Sequence, residues 1–140
     1  MIITEYFRTR VVMALQATGS AADDYVLPTG GAKVAVLRCL VTMGNAADLV
    51  LTPKTSDDAA GTTTAALAVD VPIYVNGVRQ TDAKAHTVGD ATGNFIVDFV
   101  IDPGIIPDGK YIGMSYADSH ASNLMCCEII EDVTYKPTAS

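Results

Sequence analysis

Residues 123–135, NLMCCEIIEDVTY, set Cys126 beside Cys127 in a chain with three cysteines. Neighbouring thiols can ligate a metal, exchange electrons or close a strained disulfide. In an extended run, however, successive side chains point to opposite faces, so these two look away from each other. They also lack the two-residue gap that chelating pairs use. Cys39 could meet one of them across a sheet, yet three thiols without a nearby histidine make a poor zinc set. Free cysteine packs as a small hydrophobe. Core packing is therefore preferred over redox or metal chemistry, and no metal or cofactor is expected.

The other reactive side chains are sparse. There are two histidines, His86 and His120, too few for a metal centre of the cupin kind. Residues 116–122, YADSHAS, gather Asp118, Ser119, His120 and Ser122. A hydrolytic triad needs a base that reaches its nucleophile and is oriented by a third group. Near-adjacent residues seldom manage this, and no GxSxG elbow accompanies them. The segment reads as a polar surface turn, and no enzyme is expected. Asp23-Asp24 and Asp57-Asp58 offer carboxylates for calcium, but neither loop has the Asp-x-Asp-x-Asp-Gly pattern. GDATGN, residues 89–94, lacks the Gly-Lys-Ser/Thr ending of a phosphate loop.

The N-terminal stretch is richer. MIITEYFRTR carries Ile2, Ile3, Tyr6 and Phe7 with Arg8 and Arg10, two of the four arginines. Aliphatics, aromatics and arginine are what interface cores favour. The stretch is either a first strand tucked into a sheet or an arm or edge that pairs with a partner. These six residues are the candidate partner interface.

The elements that carry these groups are strands. Val, Ile and Thr supply 15, 10 and 15 of the 140 residues, and β-branched side chains suit pleated surfaces. Asp outnumbers Glu by 13 to 3, a bias toward turns rather than helix interiors. NFIVDFVID puts Phe95, Val97, Phe99 and Ile101 on one face and Ile96, Asp98, Val100 and Asp102 on the other. Residues 33–43, KVAVLRCLVTM, are apolar on both faces apart from Arg38 and Thr42. Such a strand is expected at the centre of a sheet, covered inside by a second sheet and outside by a partner or loop. A GNA turn then leads to ADLVLT, residues 47–52, which suggests a hairpin. Asn76-Gly77 is the strongest hairpin signal. Further strands are expected over residues 4–16, 109–117 and 124–135. Loops are expected over residues 17–24, 54–66 and 82–94, and residues 118–125 have the makings of a single helical turn. The sum is one all-β domain over residues 1–140, an antiparallel two-sheet β-sandwich of jelly-roll type with about eight to nine strands.

Net charge is −7, with no run of Lys or Arg. Nucleic-acid binding draws on basic side chains, so no such partner is expected. The first residues read as neither signal peptide nor membrane span, and folding is expected where thiols stay reduced.

An acidic, cysteine-poor β-protein with loops of Ala, Gly, Thr and Asp, as in VVMALQATGSAADDYVLP, VLRCLVTMGNAADLVLTPKTSDDAAG and NLMCCEIIEDVTYKP, resembles the jelly-roll head-decoration or cement proteins of tailed bacteriophages. The resemblance implies a homodimer on the outer surface of a virion, made in the bacterial cytoplasm. It would bridge neighbouring major capsid protein subunits and catalyse nothing. It carries over no individual functional residue. The runner-up is a carbohydrate- or ligand-binding jelly-roll module, although six Tyr, three Phe and no Trp form no evident stacking platform.

Overall fold

The computed structural model describes residues 7–89 and 91–133. Eleven strands run through them in chain order: β1 (Phe7–Ala17), β2 (Ala22–Val26), β3 (Ala35–Met43), β4 (Leu49–Ser56), β5 (Thr64–Ala66), β6 (Ile73–Val75), β7 (Val78–Arg79), β8 (His86–Val88), β9 (Gly93–Ile101), β10 (Tyr111–Tyr116) and β11 (Asn123–Asp132). One sheet is ordered β1-β11-β3-β9-β6-β7. The other is β2-β10-β4-β5, with β8 also on β4. Every pairing is antiparallel.

Setting β5, β6 and β7 aside leaves β1-β11-β3-β9 facing β2-β10-β4-β8. That nesting, first strand beside last, is an eight-stranded jelly roll. The excess over eight or nine strands comes from the connection between β4 and β8. In it β5 pairs with Lys54–Ser56 of β4, beyond the Leu49–Leu51 stretch that β8 holds. The β6–β7 hairpin adds to the free edge of β9. Its turn residues Asn76 and Gly77 have φ of 50° and 80°, the positive values a type I′ turn requires.

Alternation places the core. Ala35, Leu37, Cys39, Val41 and Met43 of β3 point inward, as do Val97, Phe99 and Ile101 of β9 and Met125, Cys127 and Ile129 of β11. Leu49 and Leu51 of β4 and Ile112 and Met114 of β10 meet them from the other sheet.

Three expectations are corrected. The hairpin between β3 and β4 does not exist: β3 pairs with β11 and β9, and β4 with β10, β5 and β8. Residues 44–48 instead carry the chain from one sheet to the other, and a Cβ on Gly44 would press within 2.5 Å of the Ser122 carbonyl oxygen. Strands enter all three expected loops, β2 starting inside residues 17–24 and β5 and β8 lying within the other two, because edge pairing with a longer neighbour recruits residues with weak strand preference. The helical turn expected in residues 118–125 is a hydrogen-bonded bend running into β11: the Asn123 amide donates to the His120 carbonyl and the Ser119 amide to that of Thr18. Of the strand expected over residues 4–16, the part from Phe7 onward is seen in β1, and residues 4–6 lie outside the described residues.

One end of the sandwich is closed by a buried carboxylate. Glu131, with no exposure, accepts hydrogen bonds on Oε1 from Arg10 Nε (3.1 Å), Arg10 Nη2 (2.8 Å) and Thr29 Oγ1 (2.9 Å), and on Oε2 from the Thr29 amide (2.6 Å). Arg10 Nη2 also donates to the Leu27 carbonyl at 2.8 Å. The segment joining β2 to β3 is thereby clipped to β1 and β11.

At the other end of β1, regular pairing with β11 breaks between Val11 and Met13 and again between Met13 and Gln16. Gln16 Nε2 is buried there without an acceptor among the described residues. An unsatisfied buried donor costs on the order of 1–3 kcal/mol. Gln16→Met keeps the length and removes the donor, so it is expected to raise stability by about 1 kcal/mol in urea titration. Unchanged or reduced stability would show that the amide is satisfied in solution.

Candidate interaction face

The inward-facing half of each long strand is accounted for by the core. The outward-facing half of the six-stranded sheet is the unusual part, and register arranges it in rows. Cys126, Leu40 and Ile96 stand side by side on β11, β3 and β9, and so do Ile130, Val36 and Val100. Leu124 lies beside Thr42 and Asn94. Leu40 is 41% exposed and Ile96 40%. On β1, Val11 and Leu15 are more open still, at 67% and 69%.

Between the apolar rows runs a charged one, Glu128, Arg38, Asp98 and Tyr74, with Arg79 beyond. Its charges are largely answered within the chain. Arg38 grips Asp98 in a two-pronged bridge of 2.8 and 3.1 Å, and this hydrogen bonding holds the guanidinium above its ordinary pKa. Arg79 pairs with Asp82 at 2.7 Å and stacks over Tyr74 with 5.6 Å to the ring centroid. Side chains already held in place cost little further entropy on docking. The face therefore offers preordered charges between apolar rows.

Four strands of about nine residues span roughly 30 Å by 19 Å, on the order of 600 Å², against the ~800 Å² per partner of a standard interface. Scattered surface hydrophobes need no explanation, but here Cys126, Leu40 and Ile96 form one row and Ile130, Val36 and Val100 another, on either side of the charged row, so the face is an ordered mixture of apolar and charged groups. The residues that carry it, Leu40, Ile96, Val36, Val100, Leu124 and Ile130, are absent from the sequence-derived candidates. The signal for Val36 and Leu40 was the apolarity of residues 33–43 on both faces, which called for an outer cover.

Among the sequence-derived candidates, Phe7 and Arg8 are exposed on β1, the edge strand of this sheet. Arg8 donates to Thr29 Oγ1 at 3.3 Å. Arg10 is half-buried and its guanidinium is taken by Glu131 and Leu27. Ile2, Ile3 and Tyr6 lie outside the described residues.

Cys126 faces out and Cys127 in, as strand parity requires, and Cys127 stands directly opposite Cys39. In the 116–122 turn, Ser119 Oγ donates to the Ala47 carbonyl at 3.2 Å and accepts from Asn123 Nδ2 at 3.0 Å. His120 Nδ1 accepts from the Ser122 amide at 3.0 Å, so the imidazole is engaged with backbone. Asp118 and His120 point to solvent. Among the described residues, no three His, Cys, Asp or Glu side chains gather as metal ligands, and no helix is long and apolar enough to cross a membrane.

The outer face of the five-stranded sheet is different in kind. A shallow polar cavity of about 390 Å³ lies over β2, β10 and β4, lined by Asp23, Thr52, Lys54 and Ser115 with small apolar neighbours. Beside it Tyr25 lies buried on the sheet, its hydroxyl donating to Asp23 Oδ2 at 2.8 Å. Desolvation, reinforced by Asp23, pushes the phenol far above its ordinary pKa.

Comparison with models of protein families and with curated proteins finds no match for this chain.

Proposed function

We propose that this chain is a structural cement protein of a tailed-phage head, which binds the outer surface of the shell and bridges major capsid protein subunits of the same virus. The observation that carries the reading is the outer face of the six-stranded sheet, where Leu40 and Ile96 lie exposed to solvent beside a preordered charged row. That face would lie on the capsid protein. The exposed edge of β1, with Phe7 and Arg8, would meet a second copy in a homodimer. Pairing or covering edges also removes an aggregation hazard. Repeated over many identical sites, modest contacts would add up through multivalency. The protein's station would be the virion exterior after synthesis in the host cytoplasm, and its work contact rather than catalysis.

The polar cavity at Asp23, Thr52, Lys54 and Ser115 favours a second reading, a carbohydrate- or ligand-binding module. Two assays separate them: co-sedimentation with phage heads stripped of the protein, and a glycan array. The cement reading expects saturable sedimentation with heads and a blank array. Glycan binding without head binding would reverse the order.

A further inference from the structure

Cys39 and Cys127 oppose each other directly across β3 and β11. Both point into the core, at 0% and 1% exposure. Opposed residues of an antiparallel pair hold their Cα atoms about 4.5–5.5 Å apart, within the roughly 4.4–6.8 Å that a disulfide bridges. The Cys127 Sγ also makes a weak contact with the Glu128 carbonyl oxygen at 3.9 Å. Cys126, the third cysteine, sits on the other face of β11 and is kept from competing by parity.

We infer that Cys39 and Cys127 form a latent cross-strand disulfide, a modification site at which a small peroxide locks the neighbouring strands β3 and β11 of the six-stranded sheet together. The inference stands apart from the proposed function. In the first step one thiolate attacks a peroxide oxygen, so that an S–O bond forms, the O–O bond breaks, and the departing hydroxide becomes water with the thiol's proton. The second thiol then attacks the sulfenic sulfur. An S–S bond forms, the S–O bond breaks, and a second water leaves with the second proton. Two electrons pass from the pair to the peroxide, giving one disulfide and two waters.

The adjoining Cys127 thiol and burial hold the Cys39 thiol well above its usual pKa, so the closed protein should react slowly. The route in lies beside Cys127. Met13 of the edge strand β1 is its neighbour, and the register of β1 breaks on both sides of Met13. Such bulges disrupt a ladder locally, so fraying of β1 would bare the outer edge of β11 at the thiol.

The test uses the full chain, exposed to hydrogen peroxide either folded or while refolding from urea. Remaining thiols are then alkylated in denaturant and the cysteines mapped by mass. Cys126→Ser is expected to convert both its thiols to one intramolecular disulfide, reversed by dithiothreitol. Cys127→Ala and Cys39→Ala are each expected to give none, and two variants are used in case one packs poorly. Cys126→Ser keeping free thiols or gaining only sulfinic acids in both arms would overturn the inference, as would an intramolecular link that survives Cys127→Ala.

Discussion

Arg10→Ala is expected to lower the unfolding free energy by about 3 kcal/mol, with the circular-dichroism spectrum of the folded state unchanged. The reason is the carboxylate it leaves behind. Glu131 is fully buried and takes two of its four hydrogen bonds from the Arg10 guanidinium. Removing one partner of a buried pair costs about 3–5 kcal/mol, because the remaining charge stays desolvated. Arg10 itself is partly open, with a side-chain exposure of 26%, so water can replace some of what is lost and the lower end applies. Adding Glu131→Gln to Arg10→Ala removes the orphaned charge and is expected to recover about 1 kcal/mol of the loss. A loss under about 1 kcal/mol for Arg10→Ala would mean that this end of the sandwich is not closed by the clasp.

Gly113→Ala is expected to cost about 2–3 kcal/mol in the same urea titration. Gly113 lies on β10 between Tyr25 of β2 and Lys54 of β4. A Cβ there would collide with the Asp24 carbonyl oxygen and come within 2.6 Å of the Tyr25 ring. The first obstacle is backbone held in the sheet, so it cannot swing aside as a flexible side chain would. Overpacking of this kind costs about 1–3 kcal/mol. The ring occupies the space because glycine leaves it free, and the Asp23 hydrogen bond pins its far end. Tyr25→Ala in the Gly113→Ala background separates the two obstacles. If the carbonyl dominates, the double variant stays as unstable as the two losses summed. If the ring dominates, the losses do not add.

Much of the fold was legible because period-two alternation survives in the long strands. Phe95, Val97, Phe99 and Ile101 were separable from Ile96, Asp98 and Val100 by pattern alone, and Asn76-Gly77 announced its hairpin. The short strands were not legible. Thr64–Ala66 and His86–Val88 have three residues each and are set by the edge of β4, not by their own preference. Ala22–Val26 hides behind two aspartates. The supposed β3–β4 hairpin failed because a short turn between apolar runs cannot report whether the runs share a sheet or face each other across the core.

The interaction face was half legible. Residues 33–43 are apolar on both sides, which demands an outer cover, but only the register brings Leu40, Ile96 and Cys126 into one row. The N-terminal arginines drew attention by composition, and the structure gives Arg10 an internal task. Cys39 was foreseen as a possible partner across the sheet, whereas its choice of Cys127 over Cys126 awaited the strand's inward face.

The central claim is that the outer face of the six-stranded sheet lies on the shell. The direct measurement is the affinity of Leu40→Asp/Ile96→Asp for stripped phage heads, beside Asp23→Ala/Lys54→Ala as a control on the opposite sheet. Both Leu40 and Ile96 are partly exposed, so the first variant should stay folded, which urea titration verifies. The account predicts about a hundredfold weaker binding for the Leu40/Ile96 variant, some 2.7 kcal/mol, and wild-type binding for the control. A folded Leu40/Ile96 variant that binds heads as tightly as the wild type would contradict it.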